Sequence, residues 1–320
     1  MTRRKKQNQL SKVGKAIAVS AMGALILAGS AVGAYASDSI TKENVSYATS
    51  EASEMSAYSS ASSFSSIPVG AYRLNVNING RQVIGGRVFN YGGTTYVPMS
   101  AFSNWVGSFS SSYDSKSRTL TMTGDNLRIT AREGDFYICA NERYFYTVGQ
   151  VVTVGGELYV PILPIVKALN SYLEWRQEEG SFFVRSGDSR LLKTGSQVYD
   201  ADAVYWLARI ISAEAQGEPM QGKIAVGNVV LNRVRSSQFP NTIYGVIFDK
   251  KYGVQFSPVA NGTIYNTPTA ESVIAAKICL EGYSLSDSAL YFVNPKKAPS
   301  SWISQNRPYA FTVGNHAFYN

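Results

Sequence analysis

The stretch YGGTTYVPMSAFSNWVGSFSSSYD, beginning at Tyr91, has a counterpart in VGGELYVPILPIVKALNSYLEWRQ, beginning at Val154, with Tyr-Val-Pro recurring at an offset of 63 residues. This repeat limits what the region can fold into more than any other feature of the chain. Each copy reads as a Gly-Gly turn, a short strand stopped by proline, an amphipathic helix and then aromatic strands. In the second copy Ile162, Ile165, Val166 and Leu169 keep helical spacing. Between the copies, TLTMTG and LRITAR alternate with the period of a strand. Residues 69–187 are therefore expected to form one duplicated α/β module.

The ends of the chain differ from this module. Residues 1–36 begin with Arg3, Arg4, Lys5 and Lys6, continue through the apolar run from Ala16 to Ala34, and finish on Ala34-Tyr35-Ala36. That is the pattern of a cleaved secretory signal. The run is long enough to span a bilayer marginally, but its many Gly, Ala and Ser favour cleavage over anchoring, so membrane contact is expected only in transit. Six basic residues and no acidic one lie in this segment, so removing it lowers the formal charge from +8 to +2. A phosphate-binding role loses its main support, and no nucleic-acid partner is expected. Residues 37–68, with SSASSFSS, have too few large aliphatic residues to offset their ordering entropy and read as a flexible spacer. Residues 188–198 read as a second linker.

Residues 199–320 are expected to be mostly helical with a β end. Asp202 can cap a helix running to about Ala215, which Gly217 and Pro219 break. A second helix, about 220–235, is apolar nearly all round and should be central. Asn228 and Asn232 form a narrow polar stripe on it, best suited to holding loop backbone. Thr267-Pro268 should open a third helix, and YAFTVGNHAFY reads as a hairpin turning on Gly314-Asn315.

On a wheel advancing about 100° per residue, Glu214 falls within about 20° of Leu207, while Tyr205, Arg209 and Ser212 lie opposite. A carboxylate beside aliphatic side chains holds its proton more tightly, and a glutamate tuned toward neutral pH is a general acid. A glutamate at a helix end can equally swing into water, so periodicity alone leaves the assignment open.

Residues 75–187 resemble the copper amine oxidase N-terminal-like domain, a module of secreted bacterial proteins. The name misleads about metal: no copper site is expected, because His316 is the only histidine in the chain and lies outside the module, which leaves Cys139 alone there. Envelope or protein contact through residues 69–187 and a plain spacer role are both compatible with it.

The C-terminal part resembles the cell wall hydrolase family of the SleB and CwlJ type. The likeness runs from WLARIISAEAQGEPMQGKIAVGNVVLNRVRSSQFPNTIYGVIF through YGVQFSPVANGTIYNTPT and ALYFVNPKKAPSSWI to NRPYAFTVGNHAFY. It implies a lysozyme-like fold, with Glu214 as the catalytic acid. It also implies cleavage of peptidoglycan glycan strands after N-acetylmuramic acid, leaving a 1,6-anhydro end. The protein is then expected outside the cytoplasm, in the wall or spore envelope, with an α+β architecture overall and no cofactor.

That chemistry suits one carboxylate, whereas a hydrolase would want a second. Glu218 is the nearest candidate, and helping to start the following helix is its competing role. Asp249, in a loop with two lysines, is another. For substrate binding, Gln255, Phe256 and Ser257 match the family's Gln-Phe-Ser segment, and Tyr291, Asn294, Trp302, Arg307 and His316 match its C-terminal motifs. Core packing or loop pinning competes for each.

Two alternatives stand beside this reading. The family's second label, N-acetylmuramoyl-L-alanine amidase, asks for a zinc site that one histidine cannot furnish. Cys279 sits among apolar neighbours in IAAKICL and looks packed rather than reactive, and no Gly-x-Ser-x-Gly elbow is present. A noncatalytic wall-binding protein is the other, weakened by the presence of Glu214.

Overall fold

The computed structural model describes residues 67–83, 87–251 and 253–320. The expected signal segment, and all but the last two residues of the expected spacer, lie outside the described residues.

In the middle module the two Tyr-Val-Pro strands, Thr94–Pro98 and Glu157–Pro161, pair with each other antiparallel, Val97 opposite Val160. Each runs through its proline directly into a helix, Met99–Val106 and Ile162–Ala168. Proline suits this junction, because it gives no ladder hydrogen bond and its missing N–H costs nothing at a helix start. Val97, Met99, Phe102, Val160, Ile165 and Leu169 are all buried in one core. Met122, Ile129 and Ile138 reach that core from a second, antiparallel sheet that ends in Tyr137–Ala140 and Arg143–Tyr146. A third sheet sets Ser181–Arg185 parallel to Asn75–Ile78, between Tyr172–Arg176 and Arg81–Val83.

The C-terminal part packs three helices, Ala201–Ala215, Met220–Arg235 and Ala270–Leu280, with a three-stranded sheet of Tyr291–Val293, His316–Tyr319 and Tyr309–Val313. The Met220–Arg235 helix is central, as its composition implied, and even Lys223 and Arg233 are buried in it. Gly227 allows the close approach of its neighbours: a Cβ there would stand 2.7 Å from Cys279 Sγ and 2.9 Å from Ile211 Cδ1. Asn228 donates to Tyr283 O and accepts from Leu285 N, and Asn232 donates to Ser286 O and Ala289 O. The polar stripe thus pins the loop that leads to the sheet.

Three expectations need correction. The first helix is capped by Asp200, whose carboxylate accepts from Ala203 N, and Asp202 lies in the first turn. The third is capped by Thr269, not Thr267, because Pro268 falls before the helix. The expected linker 188–198 is ordered: Thr194 and Gln197 form a capping box, and Gly195 N donates to Asn141 O.

That ordered connection accompanies a close junction between the two parts. Arg143, on the edge strand of the middle module, makes a two-pronged ion pair with Glu281, Nε to Oε1 at 2.7 Å and Nη2 to Oε2 at 2.6 Å. Tyr199 Oη donates to the same carboxylate and accepts from Tyr144 N. Tyr146 packs on Tyr283, ring centroids 4.2 Å apart, inside the core of the C-terminal helices. Glu281 is almost fully covered, with 8% of its side chain exposed, and breaking a buried pair costs about 3–5 kcal/mol because it strands a charge. Glu281→Ala is therefore expected to lower the unfolding free energy in urea by about that amount, leaving Arg143 half-buried without its carboxylate. A loss below about 0.5 kcal/mol, the size of a surface change, would show that the junction does not form in solution.

Candidate active site

Glu214 lies in the last turn of the Ala201–Ala215 helix, half-buried beside a side formed by Leu207, Ile210 and Ile211, which are fully buried. Among the described residues its carboxylate has no hydrogen-bond or ion-pair partner within bonding distance. Burial pushes its pKa up from 4.5 to about 7, opposed by the positive charge of Lys297. The negative end of the helix dipole acts in the same direction as burial. At that value the group is both protonated and ionised in quantity near neutral pH, the state a single acid and base requires.

The helix is covered more widely than a single wheel implies. Ser212, expected opposite Glu214, is buried because the Ala270–Leu280 helix covers that side; Ser212 Oγ accepts from Thr269 N. Tyr205 does stay toward solvent, and Arg209 is half-buried with its guanidinium 3.7 Å from the tyrosine ring centre.

Glu218 is occupied elsewhere. Its Oε2 accepts from Asn315 N and its Oε1 from Asn315 Nδ2, so it holds the tip of the C-terminal hairpin. Gly314, at φ 59°, brings that tip against the carboxylate. Burial alone would raise the pKa of Glu218, but the Asn315 hydrogen bonds and the nearby His316 and Lys223 bring it below the usual value. Its carboxylate does not cap the following helix, whose N-cap is Pro219; only its backbone oxygen is used there, by Lys223 Nζ. The tie to Asn315 competes with the expected role of second carboxylate, and Glu218 stands directly before the following helix, as its expected place at that helix start implies. Asp249 Oδ1 accepts from Lys251 N in its own loop.

His316 is 7% exposed, stands edge-on to Phe292 at 5.3 Å, and keeps Nδ1 3.7 Å from Glu218 Oε1. Burial lowers its pKa, partly offset by Glu218, with Lys297 lowering it further. It is therefore a buried neighbour of the site, not a surface for sugar. Phe256, 3% exposed, is likewise core, packed near Phe292 and under the Arg233 guanidinium. For these two the burial favours the core-packing role that competed with substrate contact.

The other expected contacts are accessible. Gln255 is half-buried, with Nε2 on Gly253 O, and Ser257 is exposed at the start of a short helix. Tyr291, Arg307 and Trp302 form a stack: the Arg307 guanidinium is 4.5 Å from the Tyr291 ring centre and 5.2 Å from that of Trp302, which is 59% exposed. Asn294 shapes its own turn, Oδ1 accepting from Lys296 N and Lys297 N.

Two residues escaped the sequence reading. Lys297 is the charge that Glu214 and His316 share, and the Asn294 turn that carries it was the available signal. Arg233 is 5% exposed, ringed by Phe239, Phe256 and Tyr291, with Nε on Leu290 O; burial pushes its pKa down to about 10. Among the described residues no three His, Cys, Asp or Glu side chains gather so as to hold a metal ion. Both cysteines are free, and burial raises the pKa of each thiol.

Residues 217–319 match the Cell Wall Hydrolase family model, and residues 77–184 match that of the Copper amine oxidase N-terminal domain. The first match begins just after Glu214. The chain is 39% identical over 120 residues to a spore cortex-lytic enzyme of Bacillus cereus, covering 38% of this chain and 45% of that protein. It is 31% identical over 120 residues to cell wall hydrolase CwlJ of Bacillus subtilis, covering 35% of this chain and 81% of that protein. The chain thus spans less than half the length of the spore cortex-lytic relative and most of CwlJ. Among solved structures, the catalytic domain of the germination-specific lytic transglycosylase SleB from Bacillus anthracis is 37% identical, covering 38% of this chain and 97% of that one, with a TM-score of 0.35.

A glutamate with its folded pKa raised binds its proton more tightly in the folded state. Its effect on stability is therefore favourable below pH 4.5 and is lost as the pH rises toward about 7. Glu214→Gln removes that loss. The variant is expected to match the parent at pH 4 and to exceed it by up to about 3 kcal/mol at pH 8, read by urea unfolding at both values. Equal stability at pH 8 would place Glu214 in water.

Proposed function

The chain belongs to the cell wall hydrolase family, and on that footing we propose that it is a secreted peptidoglycan-degrading enzyme that cleaves glycan strands between N-acetylmuramic acid and N-acetylglucosamine. In this reading residues 199–320 form a lysozyme-like catalytic domain, and the duplicated module at 69–187 carries it at the wall or spore envelope. The observation that carries the reading is Glu214: half-buried, without a hydrogen-bond partner among the described residues, and with a pKa that burial raises to about 7.

The reaction is a lytic transglycosylation. Protonated Glu214 gives its proton to the glycosidic oxygen, the C1–O bond of the muramic residue breaks, and the next sugar leaves as an alcohol. The muramic C6 hydroxyl oxygen then bonds to C1, and the Glu214 carboxylate takes the hydroxyl proton. The acid is restored, no water is consumed, and the product ends in a 1,6-anhydro ring. A water-using glycosidase needs a second free carboxylate roughly 5–10 Å from the first. The candidates for it, Glu218 and Asp249, already accept hydrogen bonds from Asn315 and from Lys251 N, which favours the single-carboxylate route.

Purified protein incubated with peptidoglycan is expected to release fragments with anhydro-muramic ends, identified by mass spectrometry. Glu214→Gln is expected to lower the rate by about 100-fold to 10,000-fold, the range of general acid–base catalysis. Reducing ends would make the enzyme a hydrolase, free N-terminal alanine an amidase, and wall binding without soluble fragments a noncatalytic protein. Undiminished cleavage by the variant would remove Glu214 from the mechanism.

A further inference from the structure

Residues 288–320 carry Lys296, Lys297 and Arg307 and no acidic residue. The sheet they form meets the last turn of the central helix, where Arg233 Nε donates to Leu290 O. Two guanidinium groups stand against one ring there: Arg233 is 5.4 Å and Arg307 4.5 Å from the centre of Tyr291. Neither makes an ion pair among the described residues. Asp249, the acid whose charge reaches Arg233, accepts from Lys251 N and does not pair with it.

Arg307 is the accessible member of the two. Its guanidinium stacks on Tyr291 and lies 5.2 Å from the ring centre of Trp302, itself 59% exposed. Its Nε is enclosed, while Nη1 and Nη2 are neither enclosed nor bonded among the described residues. The rings hold the plane of the guanidinium and leave the Nη edge open, a fork that matches the two oxygens of a carboxylate. Arg233, 5% exposed, adds a charge that salt and water screen little. Its aromatic neighbours offset part of the cost of burying it, and an anion at Arg307 offsets more. The place is continuous with the candidate active site. Tyr291 opens the strand that leads through the Asn294 turn to Lys297, whose charge reaches Glu214.

We propose that Arg307, held by Tyr291 and Trp302 and backed by Arg233, binds a carboxylate of the peptide substituent on a muramic residue of the glycan strand. The two Nη groups donate to the carboxylate oxygens. The proposal rests on the glycan-cleaving reading above and adds a specificity determinant to it: a strand of plain amino sugars, without acidic substituents, lacks this contact.

The test is titration of the full chain with the disaccharide N-acetylglucosaminyl-N-acetylmuramoyl-alanine and with the same compound amidated at the alanine carboxyl. Neither contains the bond from N-acetylmuramic acid to a following N-acetylglucosamine, so binding is read without cutting. The Trp302 indole N–H resonance, assigned by its loss in Trp302→Phe, reports the event. The acid is expected to bind about tenfold or more tightly than the amide, as a charge-assisted pair requires. Arg307→Gln is expected to remove that preference, and Arg307→Lys to keep part of it. A variant that only disturbed the fold would weaken acid and amide alike. Equal binding of acid and amide by the parent chain, equal losses for both in Arg307→Gln, or a Trp302 signal that moves with neither would overturn the proposal. So would displacement of the disaccharide by glycerol phosphate at lower concentration than by N-acetylalanine, which would give the site to a phosphate of another wall polymer. A parent chain that preferred the acid yet failed to cut peptidoglycan would remove the catalytic reading and leave this site in place.

Discussion

A carboxylate half withdrawn from water, with no hydrogen-bond partner among the described residues, is costly, and the fold around Glu214 keeps one there. The apolar side of its helix is fixed by packing that leaves no room to turn: Gly227 of the central helix sits under Ile211 and Cys279. Past the helix end the chain turns at once, and Glu218 fastens it to the hairpin tip through Asn315. The two glutamates are four positions apart and chemically identical, yet hydrogen bonds hold one below the usual carboxylate range while burial lifts the other toward neutrality. Environment, not residue type, separates their roles.

The same logic links the C-terminal helices to the middle module. Glu281 follows the Ala270–Leu280 helix and would be another stranded charge were Arg143 and Tyr199 not aimed at it. Tyr146 enters the helical core directly. The module is therefore packed against the back of the helices and not merely strung to them, so anything it binds is held in a definite relation to Glu214.

Much of this was legible in the chain. The Tyr-Val-Pro strands, the central helix, its two asparagines and the hairpin turn follow from period, proline placement and turn chemistry, all of which are local. Glu214 was legible because helical period ties it to Leu207. Ser212 was misread because a wheel does not know how many neighbours a helix has. Phe256 and His316 were left between sugar and core because an aromatic ring in a motif looks the same whichever it faces. Lys297 was missed because it reaches Glu214 only through the turn that Asn294 pins, 83 residues away in sequence. The Arg143–Glu281 pair was missed for the same reason: nothing local connects an edge strand of one domain to a helix end of another.

The central claim is that Glu214 keeps its proton to near neutral pH in the folded protein. Carbon NMR of its side-chain carboxyl across pH 3 to 9, assigned by loss of the signal in Glu214→Gln, measures this directly. A midpoint at about 7 is the expected result. A midpoint at about 4.5, the value of a glutamate in water, would contradict the account at its root.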